Sequence, residues 1–243
     1  MQLSTNISLS YLEDERYFAL NEPKYLILTF GYRLEATIEQ TAEQFLSSTK
    51  QYWRTWIKHS TIAGFYQQLV IRSALVLKIH QYEDTGAIIA ASTTSLPESP
   101  GSTRNWDYRY CWMRDTYYVI TALNHIGHFE EMEKYFTYIT DISFRNDTRY
   151  QPLFGIAGER VLTERILENV KGYMGEQPVR VGNQAFEHIQ NDIYGQVLVS
   201  MLPLYNDSRF VYAERQDSGK WLNYLLLKIE RTIDEKDAGI WEF

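Results

Sequence analysis

Residues 105–115 concentrate the side chains that could do chemistry, with two Asp, two Arg, two Trp and two Tyr within eleven positions. This combination suits a sugar, because carboxylate and guanidinium groups hydrogen-bond hydroxyls while aromatic rings pack on apolar C–H faces. Arg114 and Asp115 stand side by side and could hold adjacent hydroxyls. A structural alternative stays open, in which the tryptophans are core residues and Arg114–Asp115 is an ordinary ion pair at a helix start.

Two further clusters have the same ambiguity. Gln190, Asn191 and Asp192 are consecutive and could hydrogen-bond hydroxyls, although Asp192 could equally cap a helix. Near the end of the sequence Glu242 follows Trp241. Burial beside the ring would raise the pKa of this carboxyl, as a general acid requires, but a Trp-Glu pair is a very weak signal by itself.

Other kinds of active site find little support in the sequence. It contains no Walker A loop and no GxGxxG, GxSxG or HExxH motif. His125 and His128 lie three residues apart beside Glu130 and Glu131, which could imitate a metal site, but solvated side chains at a helix end are the better interpretation. Cys111, the one cysteine, lies between two aromatic residues and is predicted to be packed rather than nucleophilic.

Composition excludes several classes of protein. The 243 residues carry a net charge of −7, which argues against nucleic-acid binding. Aromatic residues make up 15% of the chain, so a folded protein is expected. There is no apolar run of about 18 residues, and the mean hydropathy is −0.38, so no membrane span is predicted. The first residues lack a secretory pattern, which predicts a cytoplasmic location.

The elements that must position these residues change along the chain. Residues 1 to about 35 are interpreted as strand, most clearly at 25–30. Because one or two short strands do not form a stable sheet alone, this part is expected to be the end of a β-domain or an edge added to another sheet.

From residue 41 onwards, apolar residues recur at helical spacings and indicate a helical scaffold. The predicted helices lie near 41–58, 62–80, 115–126, 129–142, 192–204 and 217–233. The Ser-, Thr- and Pro-rich stretch 92–109 is predicted to be an ordered loop that lines a site. The connection 145–190 is also predicted to be ordered, because it mixes apolar residues with glycines and connections of more than about 12–15 residues are usually functional or disordered. Long loops on a rigid frame are typical of enzymes.

Six segments carry a family resemblance, in family order: residues 86–98, 105–115, 152–160, 178–183, 190–195 and 239–242. They resemble glycoside hydrolase family 15, the glucoamylase family, and most of all its bacterial glucoamylase and trehalase branch. The resemblance implies a mainly α fold, part of an (α/α)6 toroid preceded by the tail of a β-sandwich and a linker helix. The domains would be the sandwich remnant at 1–35, the linker at 36–60 and the N-terminal half of the barrel at 61–243.

The resemblance also implies roles for single residues. Tyr108, Trp112, Arg114 and Asp115 match the pocket that holds the terminal glucose, and Glu242 matches the general acid. Further candidates for lining the pocket are Trp106, Asp107, Gln190, Asn191, Asp192 and Trp241. The family mechanism is inversion, in which an acid and a base about 6.5–9.5 Å apart flank the glycosidic bond, without a metal or an organic cofactor.

The resemblance implies an exo-acting hydrolase of α-glucosidic substrates, with glucan ends, isomalto-linkages, dextran and trehalose all open. No residue matches the family's general base, so the chain is expected to be partial and inactive alone. Exposed half-barrel faces predict self-association. The alternative is a catalytically silent relative that acts as a regulatory protein, as the phosphorylase kinase regulatory subunits do, or as a carbohydrate-binding protein. The presence of Arg114, Asp115 and Glu242 favours the hydrolase.

Overall fold

A computed structural model describes residues 1–144, 149–207 and 218–239, and the chain is mainly helical, as predicted. It divides into two units, Met1–His59 and Ser60–Phe243. The assignment of 1–35 to a sandwich remnant, 36–60 to a linker and 61–243 to a half-barrel stays a prediction. Within the described ranges, no helix is both long enough and apolar enough to cross a membrane.

The first unit contains two short strands and two helices. Strand β1 (Gln2–Thr5) pairs antiparallel with β2 (Leu26–Thr29), and helix α1 (Leu9–Glu13) lies between them in sequence. The expectation of strand throughout residues 1–35 is therefore wrong outside these two segments. Helix α2 (Ile38–Lys58) begins after Thr37, whose side chain accepts a hydrogen bond from the Gln40 N–H at 3.3 Å. This N-cap explains why the helix starts before residue 41.

The second unit is built on helices α3 (Gln67–Ile79), α4 (Met113–His125), α5 (Phe129–Phe144), α6 (Asp192–Asn206) and α7 (Ser218–Thr232). The last four lie within two residues of their predicted bounds. Helix α3 starts five residues later than residue 62, because Tyr66 has a φ of 54° in the left-handed region and cannot continue a right-handed helix.

Helices α4 to α7 enclose the main core. The buried residues of α4 are Met113, Thr116, Ile120 and Leu123, which recur at spacings of three and four and so form one face. Helix α4 packs on α5 and α6, and α6 packs on α7. Trp221 and Leu225 of α7 belong to the same buried cluster. This core fixes the first turn of α4, where Arg114 and Asp115 lie.

Four short strands hold the loops beside α4. Strand β3 (Cys111–Trp112) pairs with β4 (Leu153–Phe154), and β5 (Arg165–Ile166) pairs with β6 (Arg180–Val181). One short 3-10 helix, Tyr173–Gly175, lies between β5 and β6, and another, Gln184–Glu187, follows β6. The predicted order of the 145–190 connection is therefore confirmed for residues 149–190, while residues 145–148 lie outside the described part.

The loop at 92–109 is ordered by hydrogen bonds to the segment around β6. Thr94 Oγ1 donates to the carbonyl oxygen of Arg180 at 2.7 Å, and the Arg180 N–H donates to Ser95 Oγ at 2.7 Å. Gly182 follows β6 with a φ of +91°, and its N–H donates to Asp107 Oδ2 at 3.2 Å. These bonds bring the aromatic residues of the loop against residues 180–188.

Candidate active site

A cleft of about 310 Å³ lies beside the aromatic segment that precedes α4. Trp106, Tyr108 and Trp112, three of the residues predicted from the sequence, line it. The other lining residues are Glu98, Arg104, Glu164, Asn183, Gln184, Ala185 and His188. The volume falls at the lower end of the ~300–1,000 Å³ that is usual for small-ligand sites.

Trp112 belongs to both the core and the cleft. Its side chain is 3% exposed and lies in a cluster with Leu153, Leu162 and Ala185. Its Nε1 is nevertheless buried without a hydrogen-bond partner among the described residues. The guanidinium carbon of Arg114 lies 5.5 Å from the centroid of the ring. Trp112 therefore connects the cleft to the charged residues of the first turn of α4.

Arg114 interacts with carboxylates from two helices, Asp115 of α4 and Asp192 of α6. Its Nε is 3.8 Å from Asp115 Oδ2, so the ion pair at the helix start is present but loose. Asp192 begins α6, and burial raises the pKa of its carboxyl, while the Arg114 charge lowers that pKa and Asp237 raises it. Helices α4 and α6, which carry Arg114 and Asp192, pack on each other. The first two clusters predicted from the sequence are therefore brought together.

Residues 190–192 do not cap α6 through their side chains. Asn191 precedes the helix, and its Oδ1 accepts a hydrogen bond from an Arg149 terminal nitrogen at 2.6 Å. Asp192 Oδ2 accepts from Gln196 Nε2 at 2.7 Å. Gln190 is 2% exposed, and its Nε2 has no hydrogen-bond partner in the described part of the chain. The capping interpretation of Asp192 is therefore wrong, because the residue lies inside the helix.

Residues 237–238, which lead to Trp241 and Glu242, are hydrogen-bonded to residues 189–191. The Asn191 N–H donates to Asp237 Oδ2 at 2.7 Å, and the Ala238 N–H donates to the carbonyl oxygen of Ile189 at 2.8 Å. Trp241 and Glu242 themselves lie outside the described residues. Their roles as a pocket residue and the general acid stay predictions.

Asp107 is not among the residues that line the cleft, and its hydrogen bonds hold neighbouring segments together. It is fully buried, and its two carboxylate oxygens accept from Arg109 Nε and a terminal Arg109 nitrogen, each at 2.9 Å. Its backbone carbonyl accepts from Asn183 Nδ2 at 3.0 Å. Asp107 thus joins the aromatic segment to residues 182–183.

The rim of the cleft carries paired charges. Arg180 hydrogen-bonds Glu164, and its guanidinium carbon lies 4.7 Å from the Trp106 ring centroid. Arg104 Nε donates to Glu98 Oε2 at 2.6 Å. Each cation is matched by a carboxylate, so the rim favours an uncharged ligand over an ion.

Sequence analysis missed the contribution of residues 183–188, and of His188 in particular. His188 lines the cleft, and its Nδ1 is buried without a hydrogen-bond partner. A signal was present, because His188 stands two positions before Gln190 and near the segment 178–183.

One histidine prediction is wrong. His128 is buried rather than solvated, with its Nε2 2.7 Å from Ser60 Oγ and its Nδ1 3.7 Å from Glu131 Oε2. Glu131 is buried with it because Lys78 Nζ lies 3.2 Å from its Oε1 and compensates the charge. His125 is exposed, as expected. No group of three His, Cys, Asp or Glu side chains in the described ranges is placed to hold a metal ion.

Comparison with known proteins decides the family. The family described as "Glycosyl hydrolases family 15" matches residues 64–243. The chain belongs to glycoside hydrolase family 15. The predicted family and the predicted mainly helical fold class are thereby confirmed, since the toroid of family 15 is helical.

Curated relatives of this family 15 chain are named trehalases. The chain is 38% identical over 220 residues to the trehalase of Thermoplasma volcanium, which covers 90% of this chain and 34% of that protein. It is 35% identical over 255 residues to the trehalase of Thermoplasma acidophilum, covering 100% and 42%. Identity to the trehalase of Mycobacterium tuberculosis is 37% over 215 residues, covering 85% and 30%. The chain thus spans between 30% and 42% of the length of these relatives. No solved structure matches significantly.

Proposed function

We propose that this chain carries the glucose-binding part of an α-glucoside hydrolase, with trehalose as its substrate. The observation that carries the proposal is Trp112, which lines a cleft with aromatic walls and has the guanidinium carbon of Arg114 at 5.5 Å from its ring centroid. The names of the relatives favour trehalose among the α-glucosides that the sequence left open.

In the proposed complex, the terminal glucose packs on Tyr108 next to Trp112, and Arg114 and Asp115 hydrogen-bond its hydroxyls. A hydroxyl can both donate and accept, so it can bind a cationic donor and an anionic acceptor at once. Charge-assisted hydrogen bonds of this kind are shorter and stronger than neutral ones. Arg114 and Asp115 would therefore contribute strongly to the affinity for the sugar.

The proposed reaction is exo-acting hydrolysis with inversion. Glu242 donates a proton to the glycosidic oxygen while a general base activates the attacking water on the opposite face of the sugar. No residue of the 243 matches the family's base, so we propose that this chain supplies the acid and the sugar-binding residues alone. Self-association through apolar helix faces and a cytoplasmic location also stay predictions.

The proposal is tested by sugar binding, which needs no turnover. Trehalose should quench or shift the tryptophan fluorescence of the chain, and Asp115→Ala should weaken its Kd by about 10-fold or more, because hydrogen bonds to charged groups contribute about 1.5–3 kcal/mol. Asp14→Ala, an exposed carboxylate in the first unit, is the matched control and should leave Kd unchanged.

The outcome that would contradict the proposal is equal trehalose affinity in Asp115→Ala and the wild type, or no binding to the wild type at all. Maltose and isomaltose are measured alongside. Tighter binding of either one than of trehalose would retain an α-glucoside site but reject trehalose as the substrate.

A further inference from the structure

Asp115 holds Arg114 loosely, although most of the Arg114 side chain is buried. The Arg114 side chain is 21% exposed and that of Asp115 is 43% exposed, and Arg114 Nε lies 3.8 Å from Asp115 Oδ2. A guanidinium taken out of water needs a compensating negative charge, and a long contact with a half-exposed carboxylate compensates it weakly. A second carboxylate near Arg114 would therefore hold the guanidinium more firmly than Asp115 does alone.

The starts of helices α4 and α6 are fixed to one short segment, residues 149–154. The two helices also pack on each other. The N–H of Met113, the first residue of α4, donates to the carbonyl oxygen of Pro152 at 3.0 Å. A terminal nitrogen of Arg149 donates to Oδ1 of Asn191, the residue before α6, at 2.6 Å. Because the same segment contacts both starts, these starts lie at the same end of the packed pair of helices.

Aromatic rings hold the same junction together. The ring centroid of Tyr150 lies 5.7 Å from that of Tyr194 in α6 and 6.5 Å from that of Phe154, both in edge-to-face geometry. Phe154 belongs to β4, which pairs with β3, the strand directly before α4. Arg114 is the second residue of α4 and Asp192 is the first residue of α6, so both lie at this junction.

The carboxylate of Asp192 is suited to act on a cation from α4. Its Oδ2 accepts a hydrogen bond from Gln196 Nε2 at 2.7 Å, which holds the side chain in place. A negative charge is favoured at the N-terminus of a helix. Burial raises the pKa of the carboxyl, Arg114 lowers it and Asp237 raises it. The charge of Arg114 thus stabilises the ionised form of Asp192, and by the same interaction the carboxylate stabilises the guanidinium.

We propose that Asp192 is a positioning residue, which holds the guanidinium of Arg114 in the orientation that binds a sugar hydroxyl. This inference rests on the proposed function and adds to it a residue that acts on the sugar through Arg114. An arginine side chain is long and flexible, so a carboxylate on a neighbouring helix restricts the position of its charged end. Hydrogen bonds weaken steeply as their angle departs from linearity, so a guanidinium that turns away binds the hydroxyl less well.

The contact between the two residues is tested in the sugar-free chain. Arginine is isotope-labelled in the full 243-residue chain, and the Nε–H signal that disappears in Arg114→Lys is assigned to Arg114 by heteronuclear NMR. Asp192→Asn should shift this signal and speed its hydrogen exchange with water. Asp234→Asn, at an exposed carboxylate of the same unit, is the matched control and should leave the signal unchanged. An Arg114 signal that is unaffected by Asp192→Asn would overturn the proposal.

The effect on the sugar is tested by a double-mutant cycle. The Kd of trehalose is measured by tryptophan fluorescence and saturation-transfer NMR for the wild type, Asp192→Asn, Arg114→Ala and the double variant. Asp192→Asn should weaken binding by about three- to tenfold in the wild type but by less than about twofold in Arg114→Ala, because residues that act through one another are not additive. Asp192→Glu keeps the charge and should bind trehalose more tightly than Asp192→Asn. Asp234→Asn should match the wild type.

The different failures are separable. If Asp192→Asn weakens binding equally in both backgrounds, Asp192 acts on the sugar independently of Arg114 and is not a positioning residue. If Arg114→Ala and Asp115→Ala lose sugar binding while Asp192→Asn binds as the wild type does, the proposed function stands and the role of Asp192 is wrong. If no sugar binds the wild type, the proposed function fails and the role of Asp192 fails with it, whatever the Arg114 signal shows.

Melting temperatures are recorded for each variant. If Asp192→Asn does not fold, Asp192→Ser takes its place in both experiments, because serine also suits a helix start and carries no charge. The same outcomes then decide.

Discussion

Burial keeps the thiol of Cys111, the one cysteine of the chain, in its protonated form. Its side chain is 0% exposed, and burial raises the pKa of the thiol to about 11, although Thr116 lies 3.7 Å from Sγ and opposes the shift. At pH 8 only about 0.1% of such a thiol is ionised, and the thiolate is the reactive form. The sequence-based view of Cys111 as a packed residue agrees with this environment.

We therefore predict that Cys111 resists thiol reagents in the folded protein. Labelling with Ellman's reagent at pH 8 should be at least about 100-fold slower than for a free cysteine, and denaturation in urea should make the reaction fast. Cys111→Ser is the blank in both conditions. Complete labelling of the folded chain within minutes would show that the thiol is accessible.

Single residues of the site were predictable to different degrees. The position of Arg114 and Asp115 at a helix start was predictable, although the predicted start near residue 115 is two residues late, because the position relative to the apolar periodicity is a local property. The burial of His128 and Glu131 was not predictable, since it depends on the charge of Lys78, which lies about fifty positions earlier in the chain. The burial of a charged residue cannot be predicted from its sequence neighbours when it depends on a partner far away in the chain.

At the scale of elements, Gly182 controls how β6 meets the aromatic segment. A Cβ at this position would lie 2.1 Å from the carbonyl oxygen of Thr163, and the φ of +91° disfavours any side chain. The same residue donates to Asp107, so a shift here would move the segment that carries Tyr108.

Gly182→Ala should lower the free energy of unfolding of the second unit by about 2–4 kcal/mol, from backbone strain together with the clash. Gly101→Ala separates these two causes, because Gly101 also has a positive φ, +75°, but a Cβ there would meet nothing within 4 Å. Its cost should be about 1 kcal/mol. Urea unfolding followed by circular dichroism measures both, and equal costs would exclude the clash with Thr163.

The elements themselves were predicted where the pattern is periodic. Helices α4 to α7 follow apolar residues that recur every three to four positions, so their bounds were nearly correct. Helix α1 has no buried residue and hence no apolar face to reveal it. The order of the 92–109 loop could be guessed from its composition, but its partners could not, since Ser95 and Arg180 are 85 positions apart.

At the scale of the whole molecule, the described site residues all belong to the second unit. The cleft, the first turn of α4 and residues 190–192 lie within Ser60–Phe243. The helices that carry them share one buried core, which gives the site a rigid support. In the proposed function, sugar binding needs these residues alone, whereas hydrolysis with inversion would need two carboxylates at once.

We predict that the 243-residue chain binds trehalose but does not hydrolyse it at an enzymatic rate. This prediction rests on the proposed role of Glu242 as the general acid and on the family resemblance, which assigns no base among these residues. Loss of general base catalysis typically costs ~10²–10⁴-fold in rate. Glucose release from trehalose and maltooligosaccharides is therefore expected to be near background for the chain and indistinguishable from its Glu242→Gln variant. Robust turnover that Glu242→Gln abolishes would mean that a base is present among these residues or comes from a second copy of the chain.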